Sequence, residues 1–296
     1  MTAQVWIDRT RDLLLGGTVE SINRLNGDIN SSVSSFAVEF AAGPIVPGVL
    51  IEVGTEVMYV TSVAGQTVGV IRGYGGSEAA AHTGTGASPA IIRVAPQYQA
   101  YQILDAINTD LHDLSALGLY QIKTATFSFA SGTDGYNLAS DALGVYRVTY
   151  TDPSADQSEP EVRRFSLRRN RDTSTFASGV ALILQDPPVS GQTVRVEYKA
   201  PFSTLSATTT ALSTTGLHTE AYDLPVLGAA LQLMTFKPIA RESVMVQAPM
   251  RRADEVPPGA ISASMRDLRF RRAERIEAEK ARLTQLYPTT WLRSGE

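Results

Sequence analysis

Two tracts of this 296-residue chain are cut into short β-branched runs by Gly and Pro, and this punctuation restricts the possible folds more than any other feature. In the first tract the runs 35–41, 49–53, 56–63, 67–72 and 90–94 are separated by Pro44, Pro47-Gly48, Gly54-Thr55 and Ala64-Gly65-Gln66. None is long enough for a helix, so the tract predicts a small antiparallel barrel or sandwich. Gly54-Thr55, between Ile-Glu-Val and Glu-Val-Met-Tyr-Val, suits the two central positions of a tight hairpin, because Gly tolerates positive φ there. A second tract has runs at 124–129, 144–150, 162–167, 180–184 and 193–198, with turn signals at 131–135 and Pro187-Pro188, and predicts a second β domain.

Elsewhere the apolar residues recur at three and four. A short helix is expected through Val5, Trp6, Ile7, Leu13, Leu14 and Leu15, stopped by Gly16-Gly17. Tyr98, Tyr101, Ile103, Leu104, Ile107, Leu111 and Leu114 predict a helix over 98–115, and another is expected over 222–237, ended by Pro238. Residues 249–260 hold three prolines and read as an exposed linker. A last helix is expected from Ser264, with Ser264 and Asp267 as a capping box, to Tyr287, where Pro288 stops it. Glu277 with Lys280, and Glu279 with Arg282, stand three apart and are expected to pair on a solvated face.

The charge is nearly balanced, 26 Lys plus Arg against 30 Asp plus Glu, which argues against a surface built throughout to coat nucleic acid or membrane. Residues 1–95 hold 5 basic and 8 acidic side chains, 96–240 hold 10 and 14, and 241–296 hold 11 and 8, so only the C-terminal end is basic. There is no Cys, which excludes disulfides, thiolate metal sites and a cysteine nucleophile. The longest mostly apolar stretch, 224–236, falls short of the ~20 residues that span a bilayer, and residues 1–12 carry Asp8, Arg9, Arg11 and Asp12 where a signal peptide needs an apolar run.

The chemistry-bearing residues form no catalytic pattern, and no catalytic, cofactor-binding or metal-ligating residue is expected. Ile122 precedes Lys123-Thr124 where a phosphate loop requires Gly, and His82, His112 and His218 share no ligand spacing. The Gly-rich stretch around His82 joins short strands, not a strand to a helix, so close backbone approach or contact between subunits explains it better than a dinucleotide site. A solvated helix face explains Asp105, Asp110 and Asp113. The cluster Arg163, Arg164, Arg168, Arg169 and Arg171 reads as charge guarding a strand edge, with contact to DNA or an acidic partner as the other reading.

Residues 48–87, with a strand ending Glu-Val-Met-Tyr-Val, a turn, a strand ending Arg72-Gly73 and then Gly-Ser, Ala and His82 before a glycine, resemble a pattern common in structural proteins of tailed bacteriophages. With the helices at 98–115 and 222–237, the β segment between them and the charged last helix, the chain is similar to a head-to-tail adaptor, also called a connector or neck protein. That resemblance implies a non-enzymatic virion protein, made in the host cytoplasm. It would form a ring, expected to be a dodecamer, below the portal, joining head to tail. The implied partners are further copies of itself, the portal, downstream neck or tail proteins and DNA sliding through without sequence-specific binding; no cofactor and no membrane are implied. The alternatives are a tail-tip or baseplate protein and a virion-associated carbohydrate-binding module.

The expected fold is α+β: a helical adaptor core, 96–122 with 203–296, carrying two small antiparallel β domains, 1–95 with the N-terminal helix and 123–202 as an insertion. Portal binding is expected at Leu286, Tyr287, Pro288, Trp291, Leu292 and Arg293, because an aromatic residue beyond a helix-stopping proline needs a pocket.

Overall fold

The computed structural model describes residues 1–16, 20–133, 135–151, 159–186, 188–245 and 260–288. Strands outnumber α-helices twelve to four among them. The chain divides into two compact units, Met1–Leu111 with Thr204–Thr215 and Thr219–Ala273, and His112–Ser203 with Gly216–His218 and Glu274–Glu296.

The first unit is organised by a closed six-stranded antiparallel barrel of β1 (Ile22–Asn26), β2 (Ser35–Val38), β3 (Leu50–Val53), β4 (Glu56–Ala64), β5 (Thr67–Ile71) and β6 (Ile91–Val94), in the order β1-β2-β5-β4-β3-β6. Alternation of side chains across the pleat sends Phe36, Val38, Ile51, Val53, Val60, Val68 and Ile92 inward as one buried cluster. Gly54-Thr55 forms the β3–β4 turn, with Val53 opposite Glu56 and Gly54 at φ +63. β4 shifts register between Val60 and Ser62 opposite β5, where Gly69 leaves room for the Ser62 side chain. Pairing of β1 with β6 closes the ring and removes every free edge.

The helical core implied by the adaptor resemblance is not formed. The first two helices are tied to the barrel through buried polar groups instead. α1 (Ala3–Leu15) ends at Gly16 in the left-handed conformation, as its sequence predicts. Its Arg11, 2% exposed, donates to Glu52 of β3 at 2.7 Å and to the Tyr98 carbonyl at 2.9 Å. Glu52 in turn accepts the amide of Ala100, the first residue of α2 (Ala100–Ala116), at 2.5 Å, a carboxylate at a helix N-terminus. Burial pushes the Glu52 carboxyl up, against the opposing pull of Arg11. Trp6 of α1 packs edge-on against Tyr222, with ring centroids 5.2 Å apart.

α3 (Leu224–Met245) runs on through Pro238, where the sequence predicts a stop; a proline inside a helix removes one backbone bond without having to end it. α4 (Ala260–Leu286) begins four residues before Ser264, so Ser264 lies inside the helix, and Asp267 pairs with Arg271 at 3.0 Å rather than closing a capping box. The expected linker over 249–260 lies outside the described residues except for Ala260.

In the second unit, β7 (Gln121–Ser128), β12 (Thr193–Ala200) and β9 (Gly144–Tyr150) form one antiparallel sheet, ordered β7-β12-β9. β10 (Phe165–Arg168), β11 (Ala181–Leu184) and β8 (Tyr136–Asn137) form the other, ordered β10-β11-β8. Both contribute to one core, including Val148, Leu182, Val194 and Val196, and Phe127 of β7 stacks on Tyr136 of β8 at 3.9 Å.

Candidate functional site

In its second half α4 buries Ile276 and Leu283. Arg282 holds the buried carboxylate of Glu279 through its Nε at 2.8 Å, so this pair is part of the packing rather than of a solvated face; Glu277 and Lys280 do pair on the surface, at 2.7 Å. The helix ends where Tyr287, half-buried, meets Tyr146 of β9 edge-on at 5.4 Å. One residue earlier Leu286 is 54% exposed, and Pro288 is exposed. Leu286, Tyr287 and Pro288 therefore form a surface stub, an apolar residue and a proline held up by one anchored aromatic. Trp291, Leu292 and Arg293 lie outside the described residues.

The stretch 48–87 is organised by one carboxylate. Glu56, wholly buried at the start of β4, accepts Arg72 Nε at 2.6 Å and Nη2 at 2.7 Å, the amides of Gly73 and Ala80 at 3.1 Å each, and has His82 Nε2 at 2.8 Å. Arg72 also donates to the carbonyls of Asn30, Val33 and Ala80. Burial alone would raise the Glu56 pKa, but the bonds from Arg72, His82, Ala80 and Gly73 outweigh it and bring it to about 2. Gly84 runs against the Gly27 backbone where any Cβ would collide. This constellation staples the loop after β5 to the barrel. Nothing in it resembles a nucleophile with its base, since the carboxylate is enclosed by donors and has no path to a substrate.

The other residues singled out in the sequence are dispersed. His112 and His218 are exposed, and among the described residues no group of three His, Asp or Glu side chains is placed to hold a metal. Asp110, expected on a solvated face, is 4% exposed, because α4 brings Arg272 to it at 2.6 Å and Gly228 of α3 lies against its carboxylate. In the arginine cluster, Arg164 forks onto Asp186, Arg169 donates to the carbonyls of Ala142 and Leu143, and Arg171 lies 5.7 Å over the Phe176 ring. Arg163, shortly before β10, and Arg168, its last residue, are exposed, and β10 lies at the end of its sheet.

Two features had no strong sequence signal. A cavity of about 760 Å³ opens between the loop after β5, α2 and α3, lined by Glu78, Tyr98, Tyr101, Asp105 and Gln232 among others. Its lining is drawn from distant segments, which no local pattern reveals. Phe270, on the arginine-rich part of α4, is 63% exposed. No model of a known protein family matches the chain, and comparison with curated proteins gives no significant match.

Proposed function

We propose that the chain is a structural protein of a tailed-phage virion, a head-to-tail adaptor whose copies form a ring below the portal and continue the DNA channel toward the tail. The observation that carries this reading is the end of α4: buried Ile276 and Leu283 and the packed Tyr287 fix the helix, while Leu286 and Pro288 stand at the surface immediately before Trp291, Leu292 and Arg293. A fixed helix that ends at the surface a few residues before Trp291 and Arg293 in the sequence suits an anchor in a neighbouring pocket, where Trp and Arg commonly supply most of the binding energy. The enclosed Glu56 centre is consistent with a scaffold role for the phage-like stretch.

The dominance of barrel and sandwich over helix favours a second reading, a tail-tip or baseplate component. Imaging of intact virions with this chain tagged separates the two by position and copy number: a twelve-fold ring at the portal supports the adaptor, and density at the tail tip supports the alternative. Removal of residues 288–296 should leave melting nearly unchanged while abolishing attachment to filled heads. Unchanged attachment, or a lost fold, overturns the anchor.

A further inference from the structure

Of the six asparagines in the sequence, only Asn26 precedes a glycine. Glycine has no side chain to hinder its own amide nitrogen from attacking the side-chain carbonyl of the residue before it. Asn26 is exposed at the end of β1, and among the described residues nothing bonds to its side chain. Asn23, Asn30, Asn108 and Asn137, by contrast, all accept hydrogen bonds through theirs. The Gly27 amide is held from the other side. It donates to the Gly84 carbonyl at 3.1 Å, and two residues on Ile29 and His82 exchange both backbone bonds at 2.9 Å, so 27–29 and 82–84 run as a short antiparallel pair. The Asp28 carboxylate clasps that pair, accepting the amides of Gly84 and Thr85 at 2.8 and 3.1 Å and the Thr85 hydroxyl at 2.9 Å. Only glycine at 84 lets the two backbones approach this closely. The side chain of His82 fastens the pair to Glu56 at 2.8 Å.

We propose that Asn26 is the site of spontaneous deamidation in this chain, and that the segment 82–84 guards it by occupying the Gly27 amide. In the unguarded state the Gly27 nitrogen gives up its proton to hydroxide and bonds to the side-chain carbonyl carbon of Asn26. Ammonia leaves, and a five-membered succinimide remains. Water then opens the ring: cleavage at the side-chain carbonyl gives aspartate, and cleavage at the backbone carbonyl gives isoaspartate, whose main chain is one carbon longer. Either way one water is consumed and one ammonia released, with no change of oxidation state. While Gly27 is bonded to Gly84 its nitrogen is turned away from this attack, and Asn26 is itself held opposite Ala37 in the ladder of β1 with β2. The reaction therefore runs from locally opened states, and its rate reads how often the guard lifts. An isoaspartate at 26 lengthens β1, the strand whose pairings close the barrel.

The test ages the intact chain at one mildly alkaline pH, folded and in urea, and follows each asparagine by peptide mass analysis, with the aspartate and isoaspartate peptides separated chromatographically. In urea, position 26 should react faster than the other five, and Gly27→Ala should slow it there, where no fold intervenes. Folding of the wild type should slow position 26 by at least about tenfold. Asp28→Ala removes the clasp without adding bulk, and His82→Ala detaches the pair from Glu56. Each should raise the folded rate at 26 roughly five- to tenfold while Asn108 and Asn137 keep their wild-type rates, which separates a lifted guard from a general loss of stability. A faster reaction at another asparagine in urea overturns the site. Equal rates at 26 in folded and unfolded wild type, unchanged folded rates in both variants, or a rise shared by Asn108 and Asn137 overturn the guard.

Discussion

Glu56 and Arg72 are locked side by side, carboxylate to guanidinium, by two hydrogen bonds of 2.6 and 2.7 Å, with the carboxylate completely excluded from solvent and the arginine side chain 8% exposed. Such a forked pair fixes direction as well as distance. It holds the loop that follows β5 against the start of β4, and most of its value lies in what happens when one partner is lost.

Glu56→Gln removes the charge and leaves Arg72 buried without its counter-ion, so unfolding should become easier by about 3 kcal/mol. The wild-type pH dependence has a definite sign. Glu56 titrates near 4.5 when unfolded and at about 2 when folded, so its contribution is complete above pH 4.5 and is lost as pH falls toward 2. The difference corresponds to about 3 kcal/mol. Urea unfolding at several pH values in that window should show the loss in wild type and a smaller one in Glu56→Gln, the remainder coming from Asp28, Asp172 and Asp186, whose hydrogen bonds also hold their carboxyls below the usual range.

His82 is one of five donor groups around the same carboxylate, and replacing it leaves Arg72 and two amides in place. His82→Ala should therefore cost only about 1 to 2 kcal/mol and leave assembly intact. Elemental analysis should find no stoichiometric metal in wild type that the variant lacks.

Gly228 sits in α3 where an added Cβ would fall on the Asp110 carboxylate, the group that Arg272 holds. Ala is the better helix former by about 1 kcal/mol. Against this, overpacking costs about 1 to 3 kcal/mol and displacement of a buried ion pair adds to it. Gly228→Ala should thus destabilise by about 2 kcal/mol or more, read as a lower denaturation midpoint.

The edge-on contact of Tyr146 with Tyr287 holds the last turn of α4. Tyr146→Ala should leave the β-sandwich folded but raise amide exchange at 284–287 several-fold, since aromatic pairs contribute about 1 kcal/mol beyond their buried area. Unchanged exchange would show that Leu283 alone fixes the helix end.

Local chemistry made much of the secondary structure legible. Gly54-Thr55 turns, Gly16 ends α1, and the β-branched runs become strands, because turn residues and period-two alternation act over a few neighbouring residues. β1 escaped this logic, since Ile22 faces solvent while Asn23 is buried and accepts the amides of Arg24 and Phe40, so polar and apolar residues occupy reversed sides. Barrel closure depends on pairing β1 with β6 across a separation that no local pattern encodes. The same holds for Glu52, Glu56, Asp110 and Glu279. As letters they are ordinary surface acids, and only the packing of distant elements around them makes them buried, paired and decisive, because desolvation is a property of the assembled fold and not of neighbours in the chain.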